Sequence, residues 1–221
     1  MPAPRPVKLF HITAIANLPA ILATGALLAK NAGAAAGINY QNIAHRGAQS
    51  TRAGREVPNP PGGRIHDFVP FYFAPRSPML FAIHGGQVDG CTLRQDDIVH
   101  WVTTVEAVTA NGAPFVFYDR NATLRYSVAS TDLADLDSLV AWDELLAKPQ
   151  LDGYCQYWQN NAKHPDRMER RMAEFLVHER VPLQQMLGLG VYKQAKAEEV
   201  RAILDVHGLN LPVKVKQAWY F

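Results

Sequence analysis

Two residues apart near the start of the chain, His11 and Thr13 lie at the end of the apolar run Val7 to Ile12. If that run is a strand, positions i and i+2 project from the same side, so an imidazole and a hydroxyl stand together. Such a pair can hydrogen-bond a ribose or an adenine edge. Arg52, within Ser50-Thr51-Arg52-Ala53-Gly54-Arg55, carries a guanidinium that could pair with phosphate if its segment folds over a dinucleotide. Glu174 heads the apolar stretch Phe175-Leu176-Val177, and Arg167, Arg170 and Arg171 lie just upstream. Those arginines could hold the carboxylate ionised or bind phosphates themselves. Each feature also has an ordinary alternative: a histidine satisfied by backbone, a solvated arginine, a salt-bridged glutamate.

Other chemistries fare worse. No Gly-x-Gly-x-x-Gly opens a helix and no Walker-type lysine loop is present. A Gly-x-Ser-x-Gly elbow is also missing. The 8 histidines show no His-Glu-x-x-His spacing, and Cys91 and Cys155 form no Cys-x-x-Cys, so no metal is expected. Cys155 reads as structural rather than as a nucleophile partnered by His164. With 221 residues, 48% hydrophobic and 19% charged, the chain can bury a core. A net charge of +2 neither demands nor excludes nucleic acid, so DNA would need a local basic groove. Two cysteines suit a reducing cytoplasm. The Pro-rich start is unlike a signal peptide, and no window approaches the ~20 apolar residues of a membrane span. Nothing calls for an obligate oligomer, so a monomer is expected.

The elements that must position these groups are short. Strands are predicted at Val7–Ile12, Asp67–Phe73, Ile98–Val105, Pro114–Phe117, Ala173–Val177 and Val213–Phe221. A first helix around Leu18, Ile21 and Leu22 has Pro19 in its first turn and Gly25 as its stop. Ser77 caps a helix ending at His84 before Gly85-Gly86. Glu198–Val206 is helical. Asn31–Gly63 is weakly periodic, with room for a short helix in its middle, and such long segments are often functional. Tyr118–Arg171 mixes loops and polar helices. Strands and helices without a βαβ repeat predict an α+β fold.

In order along the chain, these features resemble one family. Phe10-His11-Ile12-Thr13 followed by Asn17-Leu18-Pro19 is similar to the start of the DarT toxins. So are Val57-Pro58-x-Pro60-Pro61-Gly62-Gly63, His66-Asp67-Phe68-Val69-Pro70-Phe71-Tyr72-Phe73, and Pro75-Arg76-Ser77-Pro78-Met79-Leu80. Pro114-Phe115-Val116-Phe117-x-Asp119-Arg120 and Ala173-Glu174-Phe175-Leu176-Val177 complete the pattern. The resemblance implies an ADP-ribosyltransferase-like fold, a split β-sheet with flanking helices around an NAD cleft, as one domain over residues 1–221. It also implies a toxin that transfers ADP-ribose from NAD to a base in single-stranded DNA and blocks replication. Its antitoxin partner would be a DarG-like macrodomain. His11, Ile12, Thr13 and Leu28 are thereby expected on NAD, and Arg52 in an NAD-binding loop within residues 31–63. Glu174 is the expected catalytic carboxylate, ending a substrate-recognition loop of about residues 115–174. Arg52 would assist proton removal from thymine N3, or, since arginine is a poor base, bind the NAD phosphates and stabilise the developing anion. Arg76, Met79 and the arginines before Glu174 are candidate DNA contacts. Thymidine is the expected target and guanosine the alternative. RNA or protein modification, NAD hydrolysis and a non-catalytic nucleotide-binding module are the competing functions.

Overall fold

In a computed structural model, which describes residues 1–44 and 46–221, the apolar runs become strands of one large sheet. The strands are β1 (Lys8–Ala14), β2 (Ala26–Leu28), β3 (Phe68–Tyr72), β4 (Ile98–Thr104), β5 (Phe115–Tyr118) and β6 (Ala129–Ser130). They continue with β7 (Gln150–Leu151), β8 (Tyr154–Cys155), β9 (Glu174–His178), β10 (Arg180–Pro182), β11 (Gly188–Val191) and β12 (Val213–Val215). The eight-stranded sheet runs β12-β11-β4-β1-β3-β9-β5-β6, while β10 pairs with β2 and β7 with β8. Its ladders are antiparallel except for β11 and β12.

The sheet is split at its centre. β1 registers with β4 from Lys8↔Thr104 to Ala14↔Ile98, and β3 with β9 from Phe68↔His178 to Tyr72↔Glu174. Between β1 and β3 a single pair, Phe10↔Tyr72, is registered. Beyond it the strands part, and the residue there on β3 is Pro70, which has no N–H to donate to a ladder. The His11 Nδ1 instead lies 2.8 Å from the Pro70 carbonyl oxygen, so a side chain spans the gap that backbone pairing leaves.

Helices cover both faces. α1 (Leu18–Thr24) has Pro19 in its first turn and stops at Gly25, whose φ of 66° lies in the left-handed region that glycine tolerates. The weakly periodic segment holds two helices, α2 (Lys30–Ala35) and α3 (Arg46–Gly54), rather than one in a loop. α3 is polar along its length, because what anchors it is an ion pair through Arg52 and not an apolar stripe. In α4 (Pro78–His84) the Ser77 hydroxyl oxygen accepts from the Leu80 N–H at 3.2 Å. α5 (Val105–Thr109), α6 (Leu136–Leu139), α7 (Trp142–Leu145) and α8 (Arg167–Arg170) are short, and α9 starts at Gln194, ahead of Glu198, and ends at Val206. No described helix is long and apolar enough to cross a membrane.

One core face gathers Leu9, Val69, Phe71, Trp101, Phe175 and Val177, and the other Phe10, Ile12, Leu80, Ile83, Ile98 and Trp219. The expected last strand, Val213–Phe221, is strand only to Val215. Its remainder turns onto the sheet, with the Trp219 ring edge-on to Phe10 at 5.1 Å and to His100 at 5.5 Å. Gly190 makes this approach feasible, since a Cβ there would overlap the Trp219 ring.

Candidate active site

Where β1 and β3 part, a cleft of two connected lobes opens, sharing His11, Ile12, Ala44, Gln49, Pro70 and Met79 as walls. The larger lobe, about 410 Å³, adds Thr13, Asn17, Leu28, Lys30 and the stretch from Ile38 to Ile43. The smaller, about 250 Å³, adds Arg52, Tyr72, Pro78, Asn121 and Thr123. The expected contacts His11, Ile12, Thr13 and Leu28 therefore line one cavity. A concave, mostly apolar space with a few fixed polar groups suits a small ligand.

Those polar groups are held in defined states. Because a carbonyl only accepts, His11 Nδ1 carries the hydrogen in its bond to Pro70. Burial pulls the His11 pKa below its ordinary value, so the ring is neutral near pH 7 and Nε2 is an acceptor. Asn17 Nδ2 donates to Thr13 Oγ1 and to the Gln41 carbonyl, both at 3.0 Å, and its Oδ1 accepts from the Gln41 N–H at 2.7 Å. This clamp holds the 38–44 stretch over the lobe. Lys30 Nζ donates to Gln49 Oε1, joining α2 to α3, and burial lowers the ammonium's pKa. A neutral imidazole, a buried hydroxyl and, in the larger lobe, the Lys30 ammonium fit a dinucleotide: acceptor and hydroxyl for its sugar and amide edges, cation for its phosphates.

Arg52 and Glu174, 122 positions apart, form a bidentate pair: NH1 to Oε1 at 3.0 Å and NH2 to Oε2 at 2.9 Å. Arg52 reaches down from α3, with its side chain 14% exposed, and Glu174 lies beneath it at 1%. Arg52 walls the smaller lobe, whereas Glu174 is sealed behind it. Burial pulls the Arg52 pKa down, but the field of Glu174 and its hydrogen bonds outweigh that and the net shift is upward. The guanidinium thus stays cationic. Glu174 registers with Tyr72 on β3 and Tyr118 on β5, so two phenols flank it in the sheet. Burial, reinforced by Glu174, pushes the Tyr72 phenol up; burial likewise raises Tyr118, to about 12.

Of the two roles open to the arginines just before Glu174, holding its carboxylate or binding phosphates, the first is not seen: none of them contacts Glu174, and Arg52 does. Arg170 binds Asp119 at 2.9 Å and Asp166 at 3.1 Å. Arg167 donates to the Gln159 carbonyl. Arg171 is buried, donates to the Cys155 carbonyl at 3.2 Å and lies 5.5 Å from the Trp158 ring centre, its pKa pulled down to about 10 by burial. Chain proximity misleads here because α8 and the turn after it carry these side chains to Gln159, Asp119 and Cys155 instead. Met79 walls both lobes. Arg76 lies outside them, donating from Nε to the Tyr220 carbonyl at 2.9 Å and from NH1 to that of Gln156 at 2.8 Å. Sequence reasoning gave no role to Asn17, Lys30, Gln49, Asn121 or Thr123. Asn17 and Thr13 are i and i+4 across the β1–α1 turn, a spacing that could have flagged the first. The others meet only in three dimensions.

Comparison with known proteins follows the same lines. Residues 10–221 match the family model described as "ssDNA thymidine ADP-ribosyltransferase, DarT". A DNA ADP-ribosyl transferase of Thermus sp. (strain 2.9) is 37% identical over 220 residues, covering 99% of this chain and 98% of that protein. One from Escherichia coli O127:H6 is 32% identical over 183 residues, covering 83% of this chain and 80% of that protein. The Thermus sp. 2.9 DarT solved in complex with ADP-ribosylated ssDNA superposes with a TM-score of 0.88 at 35% identity, covering 100% of this chain and 99% of that one. The same protein in complex with NAD+ gives 0.82 at 34% identity, covering 99% and 100%. A split sheet closed by a buried arginine–glutamate pair, together with these matches along its whole length, makes the chain a member of the DarT family of NAD-dependent DNA ADP-ribosyltransferases.

Proposed function

We propose that this chain, as a single catalytic domain, transfers ADP-ribose from NAD to thymidine in single-stranded DNA and acts as a cytoplasmic toxin restrained by a DarG-like macrodomain. The observation that carries this reading is the bidentate Arg52–Glu174 pair at the floor of a cleft opened by the split between β1 and β3. Support comes from the solved relative whose complex contains ADP-ribosylated ssDNA.

His11, Ile12, Thr13 and Leu28 would hold the NAD, with Lys30 near its phosphates. Bound NAD supplies the ADP-ribosyl group: its nicotinamide–ribose bond breaks, nicotinamide leaves neutral, and the ribose carbon takes a thymine nitrogen, whose proton passes to water. Glu174 is the group suited to stabilise positive charge on the sugar, once the Arg52 guanidinium that covers it shifts toward the base and opens its carboxylate to the cleft. Arg52, held cationic, suits the anion that develops on the base better than it suits proton abstraction. Met79 offers a thioether for base stacking. Arg76 already serves two carbonyls, so as a DNA contact it would use NH2.

The test is mass spectrometry of oligonucleotides incubated with the protein and NAD. One ADP-ribosyl addition on thymidine-containing single strands, and little on the same sequence as duplex, is expected, because pairing hides the thymine nitrogen. No addition to any DNA, or equal addition to duplex, would refute it.

A further inference from the structure

We infer that Asn121 reads the target base, selecting one whose reacting ring nitrogen lies between two carbonyl oxygens. The inference rests on the DNA ADP-ribosylation proposed above.

The loop after β5 is fixed before any base arrives. The Asp119 N–H donates to the Val128 carbonyl at 3.1 Å, and the Val128 N–H donates back to Asp119 Oδ1 at 2.9 Å. Arg170 holds the other Asp119 oxygen. Ala122 is fully buried with Val57, Ile65, Phe68 and Leu176. Arg55, three residues after Arg52, donates to the Leu124 carbonyl, tying α3 to this loop. Asn121 sits at its start and walls the smaller lobe with Arg52, Tyr72 and Met79.

The orientation of its amide is determined. Asn121 Oδ1 accepts from the Thr123 N–H at 2.9 Å and from the Thr123 hydroxyl at 2.7 Å. A backbone N–H cannot face an amide NH2, so a flipped amide is excluded. Both lone pairs of Oδ1 are taken, and Nδ2 donates to none of the described residues. Asn121 therefore offers the lobe donors alone, and so does Arg52 through the N–H groups not engaged by Glu174.

Donors match carbonyls. Thymine N3 lies between O2 and O4. Guanine N1 and cytosine N3 each have an amino group on one side, and adenine N1 has no adjacent carbonyl. An amino group set against the Asn121 NH2 leaves donors unpaired, a mismatch worth on the order of 10- to 100-fold in rate.

Asn121→Asp keeps an acceptor toward Thr123 and replaces the donor amide with an oxygen. Single strands carrying one thymidine, cytidine or guanosine, incubated with NAD, give the ranking of bases. The wild type is expected to prefer thymidine. For Asn121→Asp, kcat/KM on thymidine should fall about 10- to 100-fold while the cytidine- or guanosine-to-thymidine ratio rises. Thr123→Val removes the hydroxyl donor but keeps the backbone N–H that orients the Asn121 amide, so it should leave the ranking unchanged. If the wild type modifies thymidine and Asn121→Asp keeps its ranking, or Thr123→Val shifts it as far as Asn121→Asp does, this inference fails and the proposed function stands. A guanosine-preferring wild type overturns it as well, and a wild type that modifies no DNA overturns both.

Discussion

Removing Arg52 should destabilise the protein more than neutralising Glu174, although both changes break the same pair. Arg52→Ala strands a carboxylate whose side chain is 1% exposed, fixed in β9 between Tyr72 and Tyr118. A strand residue cannot turn to water, so the cost should approach the 3–5 kcal/mol typical of breaking a buried ion pair, taken as about 4 kcal/mol. Glu174→Gln strands a guanidinium that is already 14% exposed on a covering helix and can swing outward, so about 1–2 kcal/mol is expected. For a chain of this size each kcal/mol moves Tm by roughly 2–4 °C, giving a fall of about 10 °C for Arg52→Ala and about 4 °C for Glu174→Gln. The double variant Arg52→Met, Glu174→Leu should recover to within about 1 kcal/mol of wild type, since an apolar pair of similar volume replaces the buried ions. Urea unfolding monitored by tryptophan fluorescence gives these values, and ADP-ribosylation of a thymidine single strand gives activity. All three should lose at least about 100-fold in kcat, the double variant included, which separates stability from catalysis. An Arg52→Ala protein as stable as wild type would show that the pair does not form in solution.

Two further outcomes follow from the surrounding structure. Asn17→Ala removes the clamp between Thr13 and Gln41, so the KM for NAD should rise about tenfold with kcat little changed; an unaltered KM would refute the clamp. His100 is fully buried, donating from Nε2 to the Pro75 carbonyl, and burial takes its pKa from 6.5 to about 4. The unfolded chain then binds the proton first, so stability is complete above pH 6.5 and falls by about 3 kcal/mol toward pH 4. His100→Gln keeps a donor for Pro75 without titrating and should flatten that slope in pH-dependent unfolding; an unchanged slope would assign it to other groups, His11 and His66 being shifted in the same direction.

How far the sequence reached depended on whether a signal was local. The period of two put His11 and Thr13 on one strand, and both line the cleft. Ser77 and the following glycines bounded α4, and Pro19 and Gly25 bounded α1, because caps and left-handed stops are written into neighbouring residues. The order of motifs was enough to indicate the family and, through it, NAD, and to single out Glu174 as the carboxylate proposed for catalysis. Short strands escaped: β2, β10 and β11 have three or four residues each, too few for a period, and they exist because neighbouring strands supply their hydrogen bonds. α3 was hidden for the opposite reason, since its anchor is a carboxylate 122 positions away. The sequence set Glu174 at the head of a strand beside three arginines; only the fold decided that none of those holds it and that Arg52 does. Asn121 likewise acquires its fixed donors only when the loop after β5 closes on Asp119 and meets the cleft. Residue types and local periods establish which chemistry the chain carries. Which groups face one another, and in which protonation state, is set by packing that brings distant charges together away from water.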